Sequence, residues 1–80
     1  MKARVTVTLK PGILDPQGKA IEGALRSLGL EGVASVRQGK VFEIEIDERD
    51  RSAAEALLKQ AADKLLANTV IENYQLEVLS

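Results

Sequence analysis

Apolar and polar residues alternate strictly along residues 3–10: Ala3, Val5, Val7 and Leu9 point one way, Arg4, Thr6, Thr8 and Lys10 the other. A period of two marks a strand with one buried and one polar face. Pro11 and Gly12 end it, because proline has no N–H for the ladder. Ala20, Ile21, Ala24, Leu25 and Leu28 then recur at helical spacing. Asp15 caps this helix, Pro16 takes its first position, where the missing N–H costs nothing, and Gly29 supplies the stop. Residues 33–38 read as a short second strand, Gly39-Lys40 as a tight turn, and residues 41–47 as a third strand with Phe42, Ile44 and Ile46 toward the core. Two strands this close predict a hairpin, although Gln-Gly is a weaker turn signal than Asn-Gly.

A second helix opens on Ser52 and Glu55, a capping box of the S-x-x-E kind. Ala54, Leu57, Leu58, Ala61, Ala62 and Leu65 give it a wide apolar stripe, and Asn68 and Thr69 break it. Residues 74–79 alternate again as a last strand. The order βαββαβ predicts an α+β, ferredoxin-like sandwich. Right-handed crossovers put the first and third strands at the centre of a four-stranded antiparallel sheet, with both helices on one face. Residues 1–80 form one small domain on this reading. Its uncovered sheet face carries Arg4, Thr6, Thr8, Arg37, Glu43, Glu45, Gln75 and Glu77, as a solvated surface or a polar subunit interface.

Composition narrows the function. Eleven basic and twelve acidic residues give a formal charge of −1, so neither nucleic acid nor an anionic membrane is an expected partner. Two aromatic residues, Phe42 and Tyr74, are too few for a base-stacking platform. No apolar run approaches the ~20 residues of a membrane span, and the chain passes straight into a strand pattern without a signal peptide. A cytoplasmic location is expected. Cysteine and histidine are both absent. That removes a disulfide framework, a thiolate nucleophile, an imidazole base and the common zinc ligands. Catalysis by this chain alone is not expected, and neither is a bound cofactor. Small size and open sheet edges predict a homodimer or homotetramer instead.

The charged residues give no site of their own. Glu43, Glu45 and Asp47 share one strand face and read as solvation rather than a metal site. Arg49 and Arg51 neutralise the acids at 47, 48 and 50. No phosphate-cradling G-x-x-x-x-G-K-S/T sequence occurs. The informative stretch is residues 10–18, Lys-Pro-Gly-Ile-Leu-Asp-Pro-Gln-Gly, which joins strand to helix and contains both prolines of the chain. Such junctions often carry function. The stretch holds Gly18, whose lack of a side chain suits either close packing or backbone approach by a partner.

Lys-Pro-Gly-Ile-Leu at 10–14 resembles the loop after the first strand of ACT domains. That likeness implies a regulatory module binding an amino acid at a dimer interface. A longer resemblance is carried by V-T-L-K-P-G-I-L-D-P-Q-G-K-A-I-E-G-A-L (7–25), V-A-S-V-R-Q-G-K (33–40) and K-L-L-A-N-T-V-I-E-N-Y (64–74). Together these segments resemble the PurS family, small subunits of phosphoribosylformylglycinamidine (FGAM) synthase in de novo purine synthesis. Thr69 departs from the pattern, where the family usually has proline. The resemblance implies a non-catalytic subunit that bridges a PurQ-type glutaminase and a PurL-type synthetase and assists ammonia transfer between them. ATP and magnesium would be used by the large synthetase subunit. Exposed, constrained and charged positions make Lys10, Gly12, Asp15, Pro16, Gly18, Arg37, Gly39 and Lys40 the candidate partner contacts.

Overall fold

The computed structural model describes residues 1–79. Strand β1 (Lys2–Leu9) leads through the junction to helix α1 (Pro16–Ser27); strand β2 (Gly39–Glu45), helix α2 (Arg51–Ala61), a π-helical turn (Ala62–Leu66) and strand β3 (Glu72–Val78) follow. The sheet is antiparallel and three-stranded, in the order β2-β1-β3. Val5 stands opposite Phe42 on one side and Leu76 on the other, so the alternation read from the sequence places all three on one face. Against that face α2 lays Ala54, Leu58 and Ala62, and with Ala3, Val5, Val7 and Ile46 they form the buried core. Alanine at 54 and 62 lets the helix backbone approach the sheet, and Leu58 fills the space between.

The predicted four-stranded sheet is not formed. Residues 33–38 form no strand and pair with none, and Gly39 and Lys40, expected as a turn, instead open β2 opposite Thr8 and Val7. A tight hairpin turn needs positive φ, and among the described residues only Gly12 and Gly29 have it. Glycine is required at 39 for another reason: a Cβ there would lie 2.7 Å from the Val7 carbonyl oxygen. Residues 33–40 therefore form no hairpin turn. Only β1 is central, and the third predicted strand takes an edge.

The expectation of two helices on one face also fails. Only α2 covers the sheet, while α1 and residues 28–38 stand off its end as an arm. The principal extents are 49 × 26 × 14 Å and the radius of gyration is 16.0 Å. A compact chain of this length has a radius nearer ~12 Å.

Two local signals behaved as the sequence indicated. Gly12, at φ 87°, follows Pro11 in a turn closed by the Ile13 N–H on the Lys10 carbonyl (3.1 Å). Gly29 ends α1 with paired bonds, its own N–H to Arg26 and that of Leu30 to Leu25. The second cap did not behave so. Asp50 caps α2 by accepting from the Ser52 N–H (3.1 Å), and Glu55 pairs with Arg51 (3.4 Å), so no Ser52–Glu55 box exists. Aspartate one turn-start earlier competes successfully for the same orphan donors.

On the polar sheet face Arg4 lies between Glu43 (3.9 Å) and Glu77 (3.6 Å) across the strands. Arg37 is not on that face; it belongs to the arm. Packing of α2 on the sheet carries the stability of this half of the molecule. Leu58→Ala should cost about 2–5 kcal/mol in a denaturant titration, as buried leucine truncations do; a loss below about 1 kcal/mol would contradict the core described here.

Candidate partner interface at the base of the arm

The arm holds together through two acids. Asp15, 8% exposed, accepts the Gly18 N–H on Oδ1 (2.9 Å) and the Gln38 N–H on Oδ2 (2.7 Å). One carboxylate thus caps α1 and ties the returning strand to it. Glu22, 3% exposed and about two turns further on, makes a second tie, accepting the Val36 N–H (2.9 Å) while Lys19 lies 3.4 Å from its other oxygen. Val36 and Gln38 are two apart, so their N–H groups point to one side of an extended chain. Helical carboxylates take the place of a neighbouring strand there. Gly18 allows the approach: a Cβ would lie 2.4 Å from the Val36 carbonyl oxygen. Of the two readings of this glycine, close packing is the one the geometry supports.

Both acids are easier to ionise than usual. The Gln38 N–H, then that of Gly18, holds the Asp15 carboxyl below its ordinary range against some desolvation, and nearby Arg37 adds to this. For Glu22 the Val36 N–H does the same, with burial opposing and Lys19 assisting.

A third tie crosses the junction. One Arg37 guanidinium nitrogen donates to the carbonyls of Lys10 (3.1 Å), Leu9 (3.4 Å) and Ile13 (3.4 Å), bracing the Pro11–Gly12 turn. Lys40 reaches Glu72 on β3 (3.8 Å). The two sequence segments proposed for partner contact thereby meet at one end of β1. Asp15, Gly39 and Lys40 line a shallow cleft of about 330 Å³ there, with Gln17, Gln38 and Glu72. Gly12 and Arg37 line a neighbouring one of about 520 Å³ with Thr8, Pro11 and Asn73. Lys10 is half-buried beside them and Pro16 is exposed at the start of α1. Asp15 and Gly18 are internal, so they shape this surface rather than present themselves on it.

Sequence reading missed Glu22, whose signal was an acid one turn beyond Gly18 on the face that closes the arm. It also missed Asp63, which joins Lys59 (2.8 Å) to the Tyr74 hydroxyl (2.6 Å) and pins the π turn to β3. Among the described residues no cluster of His, Cys, Asp and Glu could hold a metal ion, and no helix is long and apolar enough to cross a membrane.

Comparison with known proteins supplies the family. The model of the PurS family, described as phosphoribosylformylglycinamidine (FGAM) synthase, matches residues 2–80. The chain belongs to the PurS family. It is 52% identical over 73 residues to the PurS subunit of Mycobacterium leprae, covering 91% of this chain and 89% of that one. The solved structure of Bacillus subtilis PurS superposes with a TM-score of 0.88 at 47% identity, over 99% of this chain and 98% of that one. A chain of the PurLQS structure from Thermotoga maritima gives 0.89 at 31% identity, over 98% and 95%. The standing-off arm is therefore a PurS shape, shared over nearly the full length with solved members. PurS proteins are subunits of FGAM synthase, a ligase complex of purine biosynthesis, and this chain is such a subunit.

The acids make the arm sensitive to pH in a definite direction. Their folded-state pKa values lie below the unfolded ones, so their stabilisation is complete above the ordinary carboxylate range of ~4 and drains away as pH falls through and below it. Between about pH 6 and about pH 3, the melting temperature of the wild-type chain should fall steeply. An Asp15→Asn/Glu22→Gln double variant should start lower and fall less; parallel curves would remove these acids from the account. Gly18→Ala should destabilise by about 1–3 kcal/mol, the scale of an overpacked contact, whereas no loss in a denaturant titration would mean the arm opens freely.

Proposed function

We propose that this chain bridges the glutaminase (PurQ-type) and synthetase (PurL-type) subunits of FGAM synthase and assists the transfer of ammonia between them. The base of the arm supports this reading best. Lys10, Gly12, Pro16, Arg37, Gly39 and Lys40 come together there from two distant segments, on a framework fixed by Asp15, Gly18 and Glu22. A rigid patch of turns and charges of mixed sign suits recognition of another protein, since little ordering entropy is lost on docking. The likeness to a chain of the PurLQS structure gives the same direction. ATP and magnesium belong to the large subunit on this reading, and the complex works in the cytoplasm. Residues 1–80 act as one unit, as a homodimer or homotetramer.

The physical task is plain. Ammonia released near neutral pH is protonated in bulk water and loses its nucleophilic lone pair. A scaffold that keeps two active sites close and water out preserves it. A chain without cysteine or histidine is suited to that role and not to glutamine hydrolysis.

FGAM formation by the two large subunits should be measured with glutamine and with high ammonia, with and without this chain. The bridge reading predicts that glutamine-driven synthesis needs the chain and ammonia-driven synthesis does not; equal rates without it would refute the reading. Lys40→Glu should weaken assembly by about an order of magnitude with little change in melting temperature. Unchanged assembly would leave Lys40 as a partner of Glu72 alone. Light scattering at micromolar concentration should give a multiple of the chain mass, and a monomer mass would refute self-association.

A further inference from the structure

The strand register divides the polar sheet face into two ends of unlike charge. At one end Arg4 stands between Glu43 and Glu77, and Lys2 lies opposite Glu45. The acids that the strands place on that face all sit in these two rows. Toward the arm the rows change character: Thr6 is flanked by Val41 and Gln75, and Thr8 by Gly39 and Asn73. Lys10, whose N–H extends the ladder to the Ile71 carbonyl, closes the same face. None of these rows contains an acid.

From the arm, Arg37 brings a second cation to this end. Its Nη2 is spent on the carbonyls of Leu9, Lys10 and Ile13, and among the described residues its Nη1 and Nε donate to nothing. No described carboxylate pairs with Arg37 or Lys10, whereas Arg4 has two and Lys40 one. The cleft of about 520 Å³ beside the Pro11–Gly12 turn is lined by Arg37, Thr8 and Asn73 and by no acid. Thr8 and Asn73 are exposed, and their side chains make no hydrogen bond among the described residues. This end of the face therefore offers donors and positive charge without a counter-ion.

We infer that a large subunit docks an acidic side chain here: an aspartate or glutamate carboxylate that accepts from Arg37, with Asn73 and Thr8 as further donors and Lys10 adding charge. Three carbonyls already hold the guanidinium, so pairing it with an anion costs little side-chain entropy. A carboxylate on a protein surface fits better than a free small anion, because the cleft is shallow and small-molecule sites enclose most of their ligand. A nucleic acid or an anionic membrane would need a broad basic surface, and the acids around Arg4 begin two rows from Thr8. This inference rests on the bridging reading above and names the partner's chemistry at one contact.

Asn73→Asp tests this without touching the Arg37 brace, because it puts a carboxylate into the cleft in cis and repels one from the partner. Binding of the full chain to each large subunit is titrated at low and at high salt. Wild-type binding to one of them should weaken as salt rises. Asn73→Asp should bind that subunit about tenfold more weakly at low salt, with a flatter salt response and an unchanged melting temperature, while neutral Asn73→Ser stays within about twofold of wild type. Equal affinity of Asn73→Asp and wild type would overturn the inference, as would equal losses for the aspartate and serine variants, which would make the cleft a contact of shape. A changed mass of free Asn73→Asp by light scattering would assign the cleft to a second copy and also overturn it. Inorganic phosphate titrated into the free chain, followed on the Asn73 and Gly12 amides, should not saturate below about 10 mM, since an exposed ion pair is weak; saturation would assign the site to a free anion instead. If the wild-type chain binds neither large subunit, the bridging reading falls together with this one.

Discussion

Two carboxylates satisfying backbone N–H groups decide the shape of this protein. An extended segment must place its N–H groups somewhere, and residues 33–38 have no strand beside them. Glu22 and Asp15 accept from Val36 and Gln38, and Gly18 lets the two backbones approach closely enough for that to happen. The arm can then leave the sheet without stranding its polar groups.

From that constraint the rest follows. Because the arm stands off, α2 covers the sheet alone, with alanine at 54 and 62 drawing it close. Because Gln38 is held at the base of α1, Gly39 and Lys40 enter β2 directly, and Lys40 arrives beside Glu72. Arg37, one residue earlier, spans back to the Pro11–Gly12 turn. Two of the segments that resemble the PurS pattern, 7–25 and 33–40, are therefore neighbours in space as well.

Much of this was legible in the chain. Strict alternation located β1, β3 and the core positions of β2, since a period of two is a local property. The Pro11–Gly12 turn, the Asp15 cap and the Gly29 stop were readable because each depends on one residue and its immediate neighbours. What was not legible depended on distant partners. Residues 33–38 have the composition of a strand; Glu22 and Asp15, elsewhere in sequence, take the Val36 and Gln38 N–H groups that a neighbouring strand would have used. Arg37 looked like a sheet-face residue for the same reason. The apolar stripe of α1 was expected to pack on the sheet, yet Ile21 and Leu28 are exposed and the buried side of the helix holds Gly18 and Glu22, because periodicity cannot say what packs on a stripe. At the candidate site, Lys40 and Gly39 were placed on a turn and are in fact the start of a strand, while Asp15 and Gly18 hold the surface from within.

Amide hydrogen exchange on the free chain, followed residue by residue, tests the carboxylate clamp most directly. The account predicts alternating protection along the arm: the Val36 and Gln38 amides exchange slowly, and Glu22→Ala, which removes the acceptor, speeds Val36 far more than any amide of β1. Uniform fast exchange across residues 33–38, or slow exchange of Val36 that survives loss of the Glu22 carboxylate, would contradict it.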